Sequence, residues 1–364
     1  MKKYLLLIFI LSIGVWVFFL SSKKQITPIS TLDSGQARMT DESESQEVEV
    51  VAKNLDTPWS LVFLPDNTLL ISERKGTIRI ISPDQKESTI TIEDVKEIGE
   101  GGLLGLEKDP SFDTNHFIYV YYTYSNNKED TLNRVVRYQL KNNQLTDRKI
   151  LIDSIPGASN HNGGRIKFGP DGLLYITTGD AQNPSQAQNT NSLAGKILRI
   201  DKNGGTPTIF SYGHRNPQGL TWDKNGILWS TEHGRSGIVS GLDELNRIEK
   251  GKNYGWPVIQ GDETREGMIT PILHSGANDT WAPAGIAYRN NTLFFGGLRG
   301  QGVYKTVLEN GVPRKVEELF KGELGRVRDV VVGPDGSLYI TTSNQDGRGT
   351  PQPEDDKVLK LNIP

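Results

Sequence analysis

The sequence contains no cysteine, and its net charge is only −3 over 364 residues. The absence of cysteine excludes disulfides, thiolate zinc sites, thiol nucleophiles and a lipid attached to an N-terminal cysteine. The absence of an excess of basic residues removes the electrostatic footprint by which nucleic-acid-binding proteins are recognised. We therefore expect no nucleic-acid partner, and a stability that comes from packing, hydrogen bonds or bound ions.

One long hydrophobic run stands at the N-terminus, where residues 4–20 are apolar apart from one serine and one glycine. A pair of lysines precedes this run and another pair follows it, which is typical of an export segment. Its length lies at the lower limit for a membrane span, and no cleavage site of small residues follows. We predict that residues 1–24 form a signal or anchor segment, and we favour a membrane anchor over secretion after cleavage. Membrane contact is expected only there, with the rest of the chain outside the cytoplasm.

The composition changes after the N-terminal run. Residues 25–46 contain few large apolar side chains and many Ser, Thr, Asp, Glu and Gln residues. Such a composition cannot bury enough apolar surface to offset the entropy cost of ordering the chain. We predict a disordered tether at 25–46 that leads into one folded domain at 47–364.

The folded part is rich in turn-forming residues, with 39 glycines and 18 prolines in the whole chain. Six segments share one pattern, in which a turn leads into a short β-rich run and then into a polar, glycine-rich loop. These segments are residues 64–76, 109–123, 169–180, 223–234, 288–300 and 333–347.

A repeat of about 53 residues fits a four-stranded antiparallel blade. We therefore predict an all-β fold, a six-bladed β-propeller, whose ring closes when residues 47–53 pair with residues 357–363. A pair of β-sandwiches is the alternative. In the propeller each repeated segment is expected to enter an inner strand, so that the loops after these strands converge on one mouth.

Three of the five histidines, His161, His214 and His233, lie in polar, glycine-rich loops. Their spacing lacks the short regular intervals of a transition-metal site. His161 suits the work of a general base, since a neutral imidazole accepts a proton near neutral pH. A structural role for a loop histidine is the alternative.

Four arginines, Arg215, Arg299, Arg326 and Arg328, stand at comparable positions of the repeats. Side chains two residues apart on a strand share a face, so Arg326 and Arg328 are expected to point into one site. A set of fixed guanidinium groups suits a ligand that carries several carboxylates or phosphates. The alternative for each arginine is a solvated or salt-bridged side chain.

The stretch at residues 231–257 is rich in oxygen donors and in glycine. Its Asp243 and Glu244, with carbonyl groups exposed at glycines, suit a hard cation such as calcium. The spacing of an EF-hand is absent, so this prediction rests on residue type alone.

Six motifs follow one another along the chain: "EGGLLG" at 100–105, "NHNGGR" at 160–165, "YGHRNPQG" at 212–219, "TEHG" at 231–234, "DELNRIEKGKNYGWP" at 243–257 and "RVRDVVVGPDGSLY" at 326–339. As a set they resemble the soluble aldose dehydrogenases that use pyrroloquinoline quinone (PQQ), the glucose/sorbosone dehydrogenase family. The resemblance runs from about residue 48 to the end of the chain. The six-bladed propeller of that family agrees with the repeat count.

The resemblance implies roles for the matching residues. His161 would be the general base that removes the proton from the anomeric hydroxyl of the sugar while hydride passes to the quinone. Arg215 and Asn216 would lie beside the reactive carbonyls of the cofactor, where the arginine stabilises negative charge. The carboxylates of the cofactor would be held by Arg299, Arg326 and Arg328.

The resemblance also implies calcium. The backbone carbonyls of Gly234 and Arg235 would bind the ion that polarises the quinone. Glu244 and Tyr254 fall where the family binds a further, structural calcium.

Two positions near the expected base depart from the glucose enzyme of this family. Glu100 stands where that enzyme has a glutamine that contacts the sugar, which indicates a different substrate preference. Asn160 stands where it has an aspartate before the base. The change removes a carboxylate that would orient His161 or raise its pKa, so His161 is either a weaker base or is supported by another group.

The sequence thus predicts an exported quinoprotein that oxidises the C1 hydroxyl of aldose sugars to the lactone and passes the electrons to an external acceptor. The first alternative is a calcium-dependent propeller hydrolase of the lactonase type, with Glu100 or Asp180 as ion ligand. The second is a propeller that binds glycan or protein without turnover, since a fold alone does not determine function.

Overall fold

The computed structural model describes residues 47–126, 130–236 and 240–363. The anchor segment predicted at 1–24 and the tether predicted at 25–46 lie outside the described residues. Within the described ranges, no helix is long and apolar enough to span a bilayer.

The described residues form 25 strands and two helical turns. The strands are β1 (Glu47–Ala52), β2 (Pro58–Phe63), β3 (Leu69–Glu73), β4 (Thr77–Ile81), β5 (Glu87–Thr91), β6 (Leu103–Lys108), β7 (Phe117–Tyr124), β8 (Leu132–Lys141), β9 (Gln144–Pro156), β10 (Ile166–Phe168), β11 (Leu174–Thr178), β12 (Lys196–Ile200), β13 (Thr208–Tyr212), β14 (Pro217–Trp222), β15 (Leu228–Glu232), β16 (Glu244–Ile248), β17 (Leu273–His274), β18 (Pro283–Arg289), β19 (Thr292–Gly297), β20 (Gly302–Glu309), β21 (Val312–Pro313), β22 (Glu317–Leu319), β23 (Val327–Val332), β24 (Leu338–Thr342) and β25 (Val358–Asn362). The helical turns are α1 (Phe112–Asn115) and a 3₁₀ turn (Pro184–Ala187).

The strands assemble into six antiparallel sheets in chain order, which confirms the predicted six-bladed propeller. Blades one to four are β2–β5, β6–β9, β10–β13 and β14–β17. In blade five the outer edge is divided, since β21 and β22 both pair with β20. Blade six combines β23, β24 and β25 with β1, so that the first described strand closes the ring as predicted.

The repeated segments form the second strand of every blade, one position further from the centre than the expected inner strand. These strands are β3, β7, β11, β15, β19 and β24. The first strands make the inner ring, where β2 contacts β6 and β23, and β14 contacts β18. The second strands stood out in the sequence because they are short β-rich runs, and every residue of the four cited here is buried.

The core is divided among the interfaces between blades. Six clusters of buried apolar side chains occupy the spaces between successive blades of the described chain. Leu70 and Val120 pack between blades one and two, and Ile71 and Tyr339 pack between blades one and six. Because each blade packs against two neighbours, the ring fixes where every loop of the mouth begins and ends.

Removal of β1, the strand that closes the ring, tests whether the propeller depends on ring closure. A fragment that begins at Lys53 lacks β1 and leaves the backbone groups of β25 unpaired, whereas the control fragment begins at Glu47. We expect the loss of β1 to lower the free energy of unfolding by roughly 2 kcal/mol. Because each kcal/mol shifts the midpoint of thermal unfolding by about 2–4 °C in a large domain, the midpoint should fall by about 5 °C or more. Equal midpoints for the two fragments in scanning calorimetry would contradict the closure.

Candidate functional site

A polar cavity of about 350 Å³ opens at one end of the propeller. Its walls come from the segments that enter the first strands and from those that leave the second strands, in blades two to six. The charged and titratable residues among those that line it are Glu100, His161, Arg215, His233, Arg235, Asp243, Arg299, Arg326 and Arg348. The loops that follow the second strands of blades four, five and six reach this cavity, as expected for loops at the mouth.

The structure brings most of the predicted site residues together. The cavity wall contains Glu100, His161, Arg215, Gly234, Arg235, Arg299 and Arg326. Behind that wall lie Asn216, Arg328, Glu244 and Tyr254. The roles predicted for all of these residues stay predictions.

His161 is oriented by a buried carboxylate. Its Nδ1 lies 2.8 Å from Oδ1 of Asp180, whose side chain is fully buried. The same carboxylate accepts hydrogen bonds from the backbone N–H of Gln182 and from the indole of Trp256, each at 2.9 Å. Since a carboxylate only accepts, Nδ1 carries the proton of the neutral imidazole. Nε2 then keeps its lone pair and is the basic nitrogen of a side chain that lines the cavity.

The backbone at His161 is also held in place. The residue has a φ of 61°, in the left-handed region, and its N–H donates to the carboxylate of Glu100 at 3.2 Å. Gly179 lies so close that a Cβ there would be 1.8 Å from the carbonyl oxygen of His161. Position 179 therefore requires a glycine. Both the ring and the backbone of His161 are fixed.

Arg348 reaches across the mouth to the residues beside His161. Its guanidinium donates to Glu100 at 2.5 Å and to the side-chain oxygen of Asn160 at 3.0 Å. Burial would raise the pKa of Glu100, but the nearby charges and the hydrogen bonds from Arg348 and from the backbone of His161 lower it to about 2. Arg348 follows the sixth repeated segment directly, and no motif of the sequence singles it out.

Arg215 is buried, and its head is fixed by several contacts. Its guanidinium donates to the hydroxyl of Ser236 at 2.5 Å and to the carbonyl of His233 at 3.4 Å. It also lies 5.3 Å from the ring centre of Trp256. Burial lowers the pKa of Arg215, and Asp180 among other nearby carboxylates opposes that shift. A buried cation held in this way can stabilise negative charge that develops in the cavity.

Arg326 and Arg328 converge on one carboxylate, in keeping with the prediction that they share a face. Asp346 accepts from Arg326 at 2.7 Å and lies 3.8 Å from Arg328. Arg328 also donates to the side-chain oxygen of Gln218 at 2.7 Å. The pair is thus partly neutralised by the protein itself, and Arg328 stands behind Arg326 as seen from the cavity. Arg299, by contrast, is exposed at the rim.

His214 has a structural environment. Its Nδ1 lies 2.9 Å from the buried carboxylate of Glu232, and its ring stacks on Tyr254 at 4.8 Å. Glu232 also accepts hydrogen bonds from the backbone N–H groups of Arg215 and Asn216. The histidine and the glutamate therefore hold the turn that presents Arg215. No motif spacing in the sequence indicates that these two motifs meet.

Asp243 anchors the loop on which calcium was expected. One carboxylate oxygen accepts from the backbone N–H of Gly234 at 2.8 Å. The other accepts from Thr280, Trp281 and Ala282 at 2.7–2.9 Å. With four donors, this carboxylate is satisfied by the protein alone.

Glu244 has fewer partners. Burial and the nearby Glu232 and Asp243 raise its pKa to about 8, and Asn246 donates to it at 2.9 Å. The hydroxyl of Tyr254 is bonded to backbone groups, so only its carbonyl could serve a cation. Within the described residues, no group of three or more His, Asp or Glu side chains is arranged to hold a metal ion. Calcium remains a prediction that depends on backbone carbonyls.

Unpartnered nitrogen atoms show what the cavity requires of a ligand. Four buried side-chain nitrogens in or next to its walls have no hydrogen-bond partner in the described structure: Asn216 Nδ2, His233 Nε2, Arg235 Nε and Arg328 Nε. Five arginines and two carboxylates line the cavity. The donor set suits a ligand with several negatively charged oxygens.

The comparisons with known proteins agree with this chemistry. Residues 55–351 match the family described as Glucose / Sorbosone dehydrogenase. The chain is 31% identical to the aldose sugar dehydrogenase YliI of Escherichia coli, over 82% of this chain and 91% of that protein. It is 31% identical to quinoprotein glucose dehydrogenase B of Acinetobacter calcoaceticus, over 76% of this chain and 65% of that protein. The solved structure of a PQQ-bound aldose sugar dehydrogenase from Streptomyces coelicolor is 35% identical and superposes with a TM-score of 0.79, over 87% of this chain and 98% of that one.

Substitution of Glu232 tests its place in the site. Glu232→Ala leaves a buried imidazole and two backbone N–H groups without their acceptor, so we expect the free energy of unfolding to fall by about 2–5 kcal/mol. Glu309→Ala is the matched control, because Glu309 is exposed and pairs only with Arg314 at 3.4 Å. Urea denaturation followed by tryptophan fluorescence measures both. A loss for Glu232→Ala no larger than for the control would contradict the structural role.

Proposed function

Because the chain belongs to the glucose/sorbosone dehydrogenase family, we propose that it oxidises the C1 hydroxyl of aldose sugars to the lactone with PQQ and passes the electrons to an external acceptor. One observation carries the proposal. His161, held by Asp180 so that Nε2 is basic, lines the same cavity as a set of fixed arginines.

The residues present fit the quinone. It carries three carboxylates, and the excess of arginines over carboxylates in the cavity, together with the unpartnered nitrogens, can receive them. We assign Arg299, Arg326 and Arg328 to the carboxylates, and Arg215 and Asn216 to the reactive carbonyls. When bound, the quinone would supply the acceptor for the hydride from C1.

The chain supplies the proton chemistry. His161 Nε2 accepts the proton of the C1 hydroxyl as the C1–H bond breaks, and two electrons leave the sugar as hydride. The Asp180 carboxylate keeps the imidazole in the required tautomer and stabilises its positive charge afterwards. The buried guanidinium of Arg215 stabilises negative charge on the acceptor side of the cavity.

Calcium belongs to the proposal through backbone oxygens. We assign the carbonyls of Gly234 and Arg235 to an ion beside the quinone, and Glu244 and Tyr254 to a separate structural ion. The Glu244 carboxylate accepts from Asn246 at 2.9 Å and lies near Glu232 and Asp243, and a cation beside it would offset the repulsion among the three carboxylates.

The hydrolase alternative has less support. It requires Asp180 or Glu100 to bind an ion, but Asp180 already accepts three hydrogen bonds and Glu100 is paired with Arg348. It also leaves the arginine set without a ligand. A propeller that only binds its ligand is separated from the enzyme by the following measurement.

Dye reduction by the fragment 47–364 tests the proposed function. We expect the fragment to bleach a redox dye when an aldose, PQQ and calcium are all present, and not when any one is omitted. A panel of aldoses ranks the substrates, and absorbance spectra report bound quinone. Quinone binding without turnover would favour the binding propeller, and no quinone binding would reject the proposal.

Substitution of His161 tests the base. His161→Gln keeps a polar side chain of similar size but cannot accept the proton, so kcat should fall by at least about 100-fold while quinone binding is retained. Asp180→Asn should also lower kcat strongly, because an amide neither fixes the Nδ1–H tautomer nor stabilises the positive charge on the imidazole. His116→Gln, after α1 and away from the cavity, is the control. Unchanged turnover in His161→Gln would remove it as the base.

A further inference from the structure

Arg348 forms a bridge between two residues that flank His161. One partner, Glu100, also accepts the backbone N–H of His161, and the other, Asn160, immediately precedes it. Arg348 comes from the loop after β24 in blade six, whereas its partners precede β6 and β10 in blades two and three. Its contacts therefore connect opposite sides of the mouth directly beside the base.

The bridge leaves donors of Arg348 available. A guanidinium has five N–H groups in a fixed plane, and two of its nitrogens are used for Glu100 and Asn160. The side chain of Arg348 is 49% exposed, while that of Glu100 is 14% exposed. The remaining N–H positions are therefore accessible to a ligand that enters the cavity, which Arg348 lines.

The part of the cavity wall formed by Arg348, Glu100 and Asn160 differs in charge from the arginine set. Arg348 and Glu100 form an ion pair whose net charge is zero, and Asn160 adds a neutral amide. Fixed donors and acceptors without net charge suit hydroxyl groups, which both donate and accept hydrogen bonds. The arginine set is positively charged and suits the anionic cofactor. The wall formed by Arg348, Glu100 and Asn160 is neutral and suits the sugar.

We propose that Arg348 is a specificity-determining residue that holds Glu100 and Asn160 and donates its remaining N–H groups to a hydroxyl of the aldose. The inference rests on the proposed function. Sites built to bond a hydroxyl reject analogues that lack it, because a donor that the bound sugar shields from water is then left unpaired. Arg348 acts on the recognition of the sugar, and the proton transfer remains with His161.

Deoxy sugars test this assignment. With the best aldose of the panel and its monodeoxy analogues, the wild-type fragment should lose about 10- to 100-fold in kcat/KM for the analogue that lacks the contacted hydroxyl. In Arg348→Ala the parent aldose should lose a similar factor, mainly through KM, and the penalty for that analogue should shrink to about twofold or less. Quinone binding, read from absorbance titration, should be unchanged.

Two further variants serve as controls for this interpretation. Arg348→Lys keeps the charge but cannot bond both partners in one plane, so it should show an intermediate penalty and serves if Arg348→Ala melts at a lower temperature. Arg314→Ala, an exposed arginine paired with Glu309, is the control and should match the wild type.

The outcomes separate the two proposals. If the wild type turns over no aldose, the proposed function fails and this inference fails with it. If the wild type is active while Arg348→Ala keeps the KM and every deoxy penalty, only the role of Arg348 is overturned. Loss of quinone binding in Arg348→Ala would likewise overturn it, because Arg348 would then belong to the cofactor site.

Discussion

The mouth of the propeller depends on buried carboxylates that each accept several hydrogen bonds. Asp180, Glu232, Asp243 and Asp346 have almost no exposed side-chain surface, and each joins two or more segments of the chain. Burying a carboxylate costs free energy unless hydrogen bonds satisfy it. Each of these carboxylates therefore depends on its full set of hydrogen bonds. The functional side chains take their positions from these four groups.

The consequence is a site whose donors are fixed before any ligand arrives. Arg215 is anchored by Ser236 and by the turn that Glu232 holds, and Arg326 is anchored by Asp346. Ordering these side chains is part of folding, so a ligand does not bear that entropy cost when it binds. Arg328 is buried as well, and its guanidinium is held by Gln218 and lies 3.8 Å from Asp346.

The fold was predictable because its signals are local and repeated. Each second strand is a short β-rich run preceded by a turn, and the first and last strands of the ring are β-rich as well. The partners within the site were not predictable in the same way. Arg348 and Glu100 are 248 residues apart, and only the closure of the ring brings them together. The Asp346 and Glu232 contacts instead lie within one blade each, where the pairing of the first and second strands brings together residues 16 to 20 positions apart. His161 and the arginines were found because of their residue type and the family motifs.

The position before His161 shows why such contacts matter for function. The resemblance led us to expect that Asn160 removes a carboxylate from the base, which left His161 either weaker or supported elsewhere. The structure supplies that support from blade three, where Asp180 follows β11 and bonds Nδ1 directly. Asn160 instead accepts from Arg348. A carboxylate at 160 would place a further negative charge beside Glu100, whereas a neutral amide lets one guanidinium serve both residues. The ring of His161 is therefore oriented by Asp180, while its backbone is linked through Glu100 to Arg348, so the proposed recognition of the sugar and the position of His161 share one contact.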